Sequence, residues 1–250
     1  MNRRVVFIHD AWLTTASWDR FKSRFTACGY NCIALPWPPQ EDASARSFGL
    51  GLSRLVEHYT TIISGMPQVP LLVGHGFGGL IVQLLIDRGY GRAGIAIAPV
   101  PPRGIRPWLL AFDLLPVLFR AGLHRQVDLS FERFARKVAQ TVPDSDRLME
   151  FQRHVVKAPA RIFYEAALGI DSKVDFANDH RPPLLLLAGA NDRSIRASLV
   201  ASNYRHHHRS IAPIAYKCFA GHSHWLIAES NWEEVADYSI EWAQTQSGRF

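Results

Sequence analysis

The sequence predicts an α/β domain in which a mostly parallel sheet is flanked by helices and carries a helical insertion. Three observations predict it. Short continuous apolar runs alternate with helix-patterned segments from the start of the chain. That alternation breaks over residues 101–181 and then resumes. Before the break lies "LLVGHGFGGLIVQLL" (71–85), which reads as a strand, a tight glycine turn and a helix.

The elements follow in order. "RVVFIH" (4–9) is a β-branched run, and "WDRFKSRFTACGY" (18–30) is an amphipathic helix stopped near Gly29. "NCIALPW" (31–37) is the next strand, followed by a polar loop and a helix at about 49–65. "PLLVGH" (70–75), a helix from Gly78 to about Arg88 and "AGIAIAPV" (93–100) come next. Continuously apolar strands separated by helices imply a sheet covered on both faces. Residues 101–181 have helical patterning, several prolines and no convincing strand. The strand "PPLLLLAGA" (182–190), a helix near 194–205, the strand "IAYKCFAG" (214–221) and the helix "NWEEVADYSIEWAQTQ" (231–246) complete the chain. The expected division is therefore a core of 1–100 and 182–250 with a helical lid at 101–181. The lid would stand over the carboxyl ends of the strands, where open α/β sheets bind ligands.

Bulk properties narrow the class. The chain has 250 residues, 48% hydrophobic and 20% charged, which suits one ordinary globular domain with a sizeable core. The net charge of +6 is spread along the chain without a basic run or nucleic-acid motif, so no nucleic-acid partner is expected. Three cysteines without metal spacing favour reduced thiols in a cytoplasm. The apolar run near the N-terminus is too short for a signal peptide. The greasiest stretch, 106–123, is interrupted by Asp113, Pro116 and Arg120 and falls short of the ~20 apolar residues a membrane span needs. The histidine run in "YRHHHRS" (204–210) lacks ligand spacing and reads as an exposed helix end, so no metal is expected.

Gly74-His75-Gly76-Phe77-Gly78-Gly79 admits two readings. One is the dinucleotide fingerprint G-x-G-x-x-G. It requires an acidic residue at the end of the next strand, where Ala98 and Pro99 stand instead. The other is the nucleophile elbow G-x-S-x-G with glycine in place of serine. An elbow enzyme runs nucleophile, acid, histidine along the chain. Asp192 in "GAND" and His222 in "GHSHW" each follow a strand in that order.

Together the "HDAW…SW" opening, the "GYNCIALPWP" strand, the "GHGFGG" elbow, the "GAND" loop and the "GHSHW" loop resemble the α/β-hydrolase superfamily, in particular small lidded bacterial esterase-like members. The resemblance spans roughly residues 4–245. It implies Asp192 as the acid, His222 as the base, and the N–H groups of Ala11 and Phe77 as oxyanion donors. Two positions depart from the pattern: Gly76 stands where serine is usual, and Asp10 where glycine is usual. Without a hydroxyl at 76 there is no acyl-enzyme.

A histidine oriented by a carboxylate still moves protons, and backbone N–H groups still stabilise an oxyanion. The reading is thus a cofactor-independent enzyme on a small apolar organic substrate, with a lyase, isomerase or cyclisation-type reaction. A water-mediated hydrolysis stays open as a further route. Asp10, Trp12, His75, His224 and Trp108 are the candidate substrate contacts. Asp10 could instead cap a turn, and His75 and His224 could instead pack. Two alternatives stand beside this reading: a hydrolase fold used as a receptor or interaction protein, and a serine hydrolase whose nucleophile was replaced by Gly76. The oligomeric state is open.

Overall fold

A computed structural model describes residues 3–38, 49–105 and 126–246. Six strands form one sheet: β1 (Arg3–Ile8), β2 (Tyr30–Leu35), β3 (Leu71–His75), β4 (Ala93–Ile97), and, after a two-residue pair introduced below, β7 (Leu184–Gly189) and β8 (Ile214–Phe219). Their order is β2-β1-β3-β4-β7-β8, and every neighbouring pair is parallel. All carboxyl ends therefore open on the same edge.

Alternate residues of each strand feed two separate cores. Val6, Ile8 and Leu72 point to one face and Val5, Phe7, Leu71 and Val73 to the other. This is why the strands read as unbroken apolar runs. Helices α1 (Asp19–Ala27), α2 (Leu52–Ser64) and α3 (Phe77–Asp87) follow β1, β2 and β3 in turn. In α2 the buried residues Leu52, Leu55, Val56, Tyr59 and Ile63 recur at helical spacing and make one stripe. Each such buried side chain contributes roughly 1.5–3 kcal/mol. By contrast, α3 is buried on every side from Phe77 to Ile86, as its nearly all-apolar sequence requires. It can press against the sheet because Gly78 has no side chain: a Cβ there would collide with the Ile8 carbonyl.

The described part of the inserted segment is mainly helical. It comprises α4 (Phe131–Arg133), continued by a π-helical turn over Phe134–Val138, then α5 (Asp144–His154) and α6 (Ala160–Leu168). It also contains the short antiparallel pair β5 (Gln126–Val127) with β6 (Ala158–Pro159), where the sequence suggested no strand. Two residues per strand are too few to leave an alternating pattern. Helices α7 (Ala197–His207) and α8 (Trp232–Gln246) complete the layers. Trp108 lies outside the described residues. Among the described residues, no helix is long and apolar enough to cross a membrane.

Candidate active site

Four loops meet at the carboxyl edge of the sheet, and each delivers one polar group. The turn after β1 brings Asp10, the β3–α3 turn brings Gly76 and the Phe77 N–H, the loop after β7 brings Asp192, and the loop after β8 brings His224. Asp192 is held firmly: its Oδ1 accepts hydrogen bonds from the N–H groups of Ser194 (2.7 Å) and Ile195 (2.8 Å). Its other oxygen accepts from His224 Nδ1 at 2.7 Å. The far side of the same ring, Nε2, faces Asp10 Oδ2 at 3.4 Å. Asp10 Oδ1 in turn accepts the Phe77 N–H at 2.6 Å. A continuous chain thus runs Asp192–His224–Asp10–Phe77.

This corrects the pairing expected from sequence. His224, not His222, meets Asp192. His222 turns the other way, its Nδ1 2.9 Å from Glu229 Oε1. Glu229 also accepts from the Ser223 N–H (2.9 Å) and the Ser223 hydroxyl (2.5 Å), and the Thr141 hydroxyl bonds to it as well. The His222 carbonyl receives the Asn191 N–H at 2.8 Å, so this residue ties the two loops together through its backbone. The physical reason is the path of the loop: Gly221 takes a left-handed φ of +78°, and the two histidines that follow, separated by Ser223, turn to different carboxylates. His222→Ala is expected to destabilise the protein by about 1–3 kcal/mol, by leaving a buried Glu229 oxygen short of a donor. Thermal denaturation would check this, and the His224–Asp192 contact should survive.

Asp10 and Gly76 are one feature rather than two. Gly76 has φ +55° and ψ −116°, a conformation that an L-residue adopts only under strain. A Cβ added there would overlap the Asp10 carboxyl carbon and both its oxygens. The Asp10 carboxylate therefore fills the volume that a side chain at 76 would need. A turn cap remains part of its role, since its carbonyl accepts the Leu13 N–H at 3.3 Å. Its backbone is braced further by His9, whose Nδ1 donates to the Asp10 carbonyl at 2.8 Å.

The charges follow from the contacts. Burial opposes the His224 cation, but the Asp192 charge and the hydrogen bonds to Asp10 and Asp192 outweigh it and raise its pKa to about 10. Burial likewise opposes ionisation of Asp10, yet the His224 hydrogen bond, that cation and the Phe77 N–H hold its pKa below the ordinary value. At neutral pH His224 is thus an imidazolium facing the Asp10 carboxylate.

His75 was a candidate substrate contact, and its place differs from that expectation. It is fully buried behind His224, with Nε2 donating to the His224 carbonyl at 2.8 Å. Burial, with the neighbouring His224 cation next, lowers its pKa to about 4, so it is neutral. Asp10, His75 and His224 are the one group among the described residues with ligand-type atoms close enough together, within 4.8 Å, to consider for a metal ion. We assign no metal there.

Asp10 and His224 form the floor of a cavity whose apolar wall includes Trp12, Phe77, Leu129 and Phe163. Trp12 is fixed by its indole N–H on the Val127 carbonyl (3.0 Å) and by Phe163, 4.5 Å away between ring centroids. Ala11 is buried beside Asp10. Sequence reasoning missed Glu229 and the interlock between Asp10 and Gly76.

A family model described as "Alpha/beta hydrolase family" matches residues 5–238. No curated protein matches the chain by sequence. Among solved structures, the chain is similar to a variant of tomato methylketone synthase I complexed with β-ketoheptanoate, with 12% identity, TM-score 0.74 and 98% of each chain covered. It is also similar to the pyrethroid hydrolase PytH, at 15% identity and TM-score 0.72, with 99% of each chain covered. A monoacylglycerol lipase from Paleococcus ferrophilus has 18% identity and TM-score 0.72, covering 97% of this chain and 94% of that one. At such identities the likeness concerns the fold.

Proposed function

The chain belongs to the alpha/beta hydrolase family, and from that premise we propose that it is a cofactor-independent enzyme catalysing proton transfer on a small apolar organic substrate, a lyase- or isomerase-type reaction rather than Ser-type ester hydrolysis. One observation carries this reading: the Asp10 carboxylate stands in the space over Gly76 and bonds to His224. No hydroxyl is present there to be acylated, and the Phe77 N–H that would hold an acyl oxyanion already donates to Asp10.

The dyad assigned from sequence to His222 and Asp192 passes to His224 and Asp192, with Asp10 as a third member. Asp10 is the base and takes a proton from a carbon next to a carbonyl. The His224 imidazolium is the acid and gives its Nε2 proton to the enolate oxygen that develops. Asp192 holds His224 through Nδ1 and orients its ring. Asp10 then returns its proton to a different carbon while the enol O–H proton goes back to His224 Nε2, which completes an isomerisation; in an elimination the enol expels a leaving group that takes the Asp10 proton, and its O–H proton likewise returns to His224. General acid–base help of this kind is worth about 10²–10⁴-fold.

Deuterium exchange tests it without knowledge of the natural substrate. In D2O the protein is expected to wash deuterium into the α-positions of short alkyl ketones, read by NMR. Asp10→Asn and His224→Gln should each lose about 10²-fold or more of that rate. Exchange that is absent from the unmodified protein, or equal in both variants, would sink the reading.

A further inference from the structure

The π-helical turn of the inserted segment is bonded to both loops that carry Asp192 and His224. A helix end leaves its last carbonyls without partners inside the helix. From Lys137 to Gln140 these carbonyls are taken by other parts of the chain. The Ser194 hydroxyl donates to the Lys137 carbonyl at 3.0 Å. The Trp225 N–H donates to the Val138 carbonyl at 3.0 Å and is shared with the Ser223 hydroxyl at 3.1 Å. The Arg147 guanidinium of α5 takes the Ala139 and Gln140 carbonyls, at 3.1 and 2.8 Å.

Two of these donors flank the reacting pair. Ser194 stands two residues after Asp192, and its N–H holds Asp192 Oδ1 at 2.7 Å. Trp225 directly follows His224. Two side chains repeat the arrangement: the Gln140 amide donates to the Asn191 carbonyl, next to Asp192, and the Thr141 hydroxyl donates to Glu229, in the stretch after His224. The loops also meet directly, through the Asn191 N–H on the His222 carbonyl at 2.8 Å. That contact joins residues that precede Asp192 and His224, whereas the helix end holds Ser194 and Trp225, which follow them. Val138 is the joint with the cavity: its side chain lines the wall, and its carbonyl holds the residue next to His224.

We propose that the helix end Lys137–Thr141 is a positioning element of the acid–base centre, and that Ser194 is the positioning residue through which it keeps Asp192 at bonding distance from His224. Asp192 Oδ1 is fixed by the N–H groups of Ser194 and Ile195, so a shift of Ser194 moves the carboxylate. The other oxygen lies 2.7 Å from His224 Nδ1, and a displacement of a few tenths of an ångström takes the pair out of the range of a charge-assisted bond. The inserted segment and the centre thus assemble as one unit. This inference rests on the acid–base reading for its effect on turnover, though not for its effect on the His224 ring.

The test follows the His224 ring by ¹⁵N-resolved imidazole NMR in the intact protein without ligand, comparing Ser194→Ala and Ser194→Thr with the unmodified chain. Ser194→Ala keeps the N–H on Asp192 and removes only the hydroxyl on the Lys137 carbonyl. Burial opposes the His224 cation, and Asp192 is the foremost of the causes that hold its pKa at about 10. The groups facing the ring are Asp10, His75 and Asp192, with Arg133, Lys137 and Arg193 along the same cavity, and the substitution alters none of them. The His224 midpoint is expected to fall by about one unit in Ser194→Ala, a tenfold change in its protonation equilibrium, and to return in Ser194→Thr. A midpoint that Ser194→Ala leaves unchanged, even where thermal stability drops, would make the bond a plain brace and overturn the proposal. So would a Ser194→Thr variant that behaves like Ser194→Ala. Should Ser194→Ala fail to fold, Gln140→Ala, which releases the Asn191 carbonyl from a residue outside the cavity lining, carries the same two outcomes: a lowered midpoint supports the proposal and an unchanged one overturns it. The ring is read without turnover, so the two readings fail separately. A midpoint that follows Ser194 in a protein that exchanges no deuterium supports this inference and defeats the acid–base reading; exchange with a midpoint indifferent to Ser194 does the reverse.

Discussion

Gly76→Ser alone is expected to leave the protein inert toward short aryl esters and unlabelled by a fluorophosphonate, whereas Gly76→Ser with Asp10→Gly is expected to gain both reactions. The single substitution places a Cβ on top of the Asp10 carboxyl group, which is itself tied to His224 and the Phe77 N–H. It also puts a non-glycine residue at φ +55°, at a cost of about 1–3 kcal/mol. One side chain has to leave, and the serine hydroxyl gains no free base in either case. Removing the Asp10 side chain changes three things together. Space opens over residue 76, the Phe77 N–H is freed for an oxyanion, and His224 loses one of the two carboxylates that keep it charged. Neutral Nε2 then faces the new hydroxyl while Nδ1 stays on Asp192. The base contributes about 10²–10⁴-fold and an oxyanion donor about 10²–10³-fold. Ester hydrolysis in the double variant should therefore exceed that of the parent by at least about 10²-fold. Equal labelling of the single and double variants would mean that Asp10 does not occupy that space.

The interlock also explains what was legible in the sequence. The strands, the glycine turn and the helix after it were readable because burial on both sheet faces leaves unbroken apolar runs. Asp192 was readable because it stands in a loop directly after such a strand. The choice between His222 and His224 was not, since two histidines two residues apart occupy the same loop. Glu229, which captures His222, lies seven residues on, in a stretch with no periodicity to mark it. A carboxylate partner on each side of one histidine cannot be inferred from order along the chain. Asp10 and Gly76 were each visible as departures from the family pattern, a carboxyl group gained and a hydroxyl lost. That the first fills the room left by the second is a contact across 66 positions, which depends on how β1 and β3 lie side by side.

The second large effect is in the titration of His224. Its ring is expected to stay protonated from neutral pH to about 10, and Asp10→Asn should let it deprotonate at markedly lower pH; ¹⁵N-resolved imidazole NMR would follow both. The groups facing the ring come from three other loops and strands: Asp10 after β1, His75 at the end of β3, and Asp192 after β7. The sign for stability follows from linkage. The folded pKa of His224 lies above the ordinary value of 6.5, so its contribution is fully present below about 6.5 and is lost as pH rises through about 10. On the acid side His75 acts in the opposite sense. Its folded pKa, lowered to about 4, means that the unfolded chain binds the extra proton between about 4 and 6.5, so stability falls as pH drops through that window. Asp10, with its pKa held down, adds a loss below its ordinary value of 3.8. Denaturation midpoints measured against pH should thus decline on both sides of neutrality, and Asp10→Asn should flatten the alkaline decline while leaving the His75 limb in place. Proton transfer should obey the same window: Asp10 must be ionised and His224 protonated, so deuterium exchange holds level through neutrality and fails toward pH 10. A His224 that titrates near 6.5 in the unmodified protein would break the imidazolium bridge, and with it the assignment of Asp10 as base and His224 as acid.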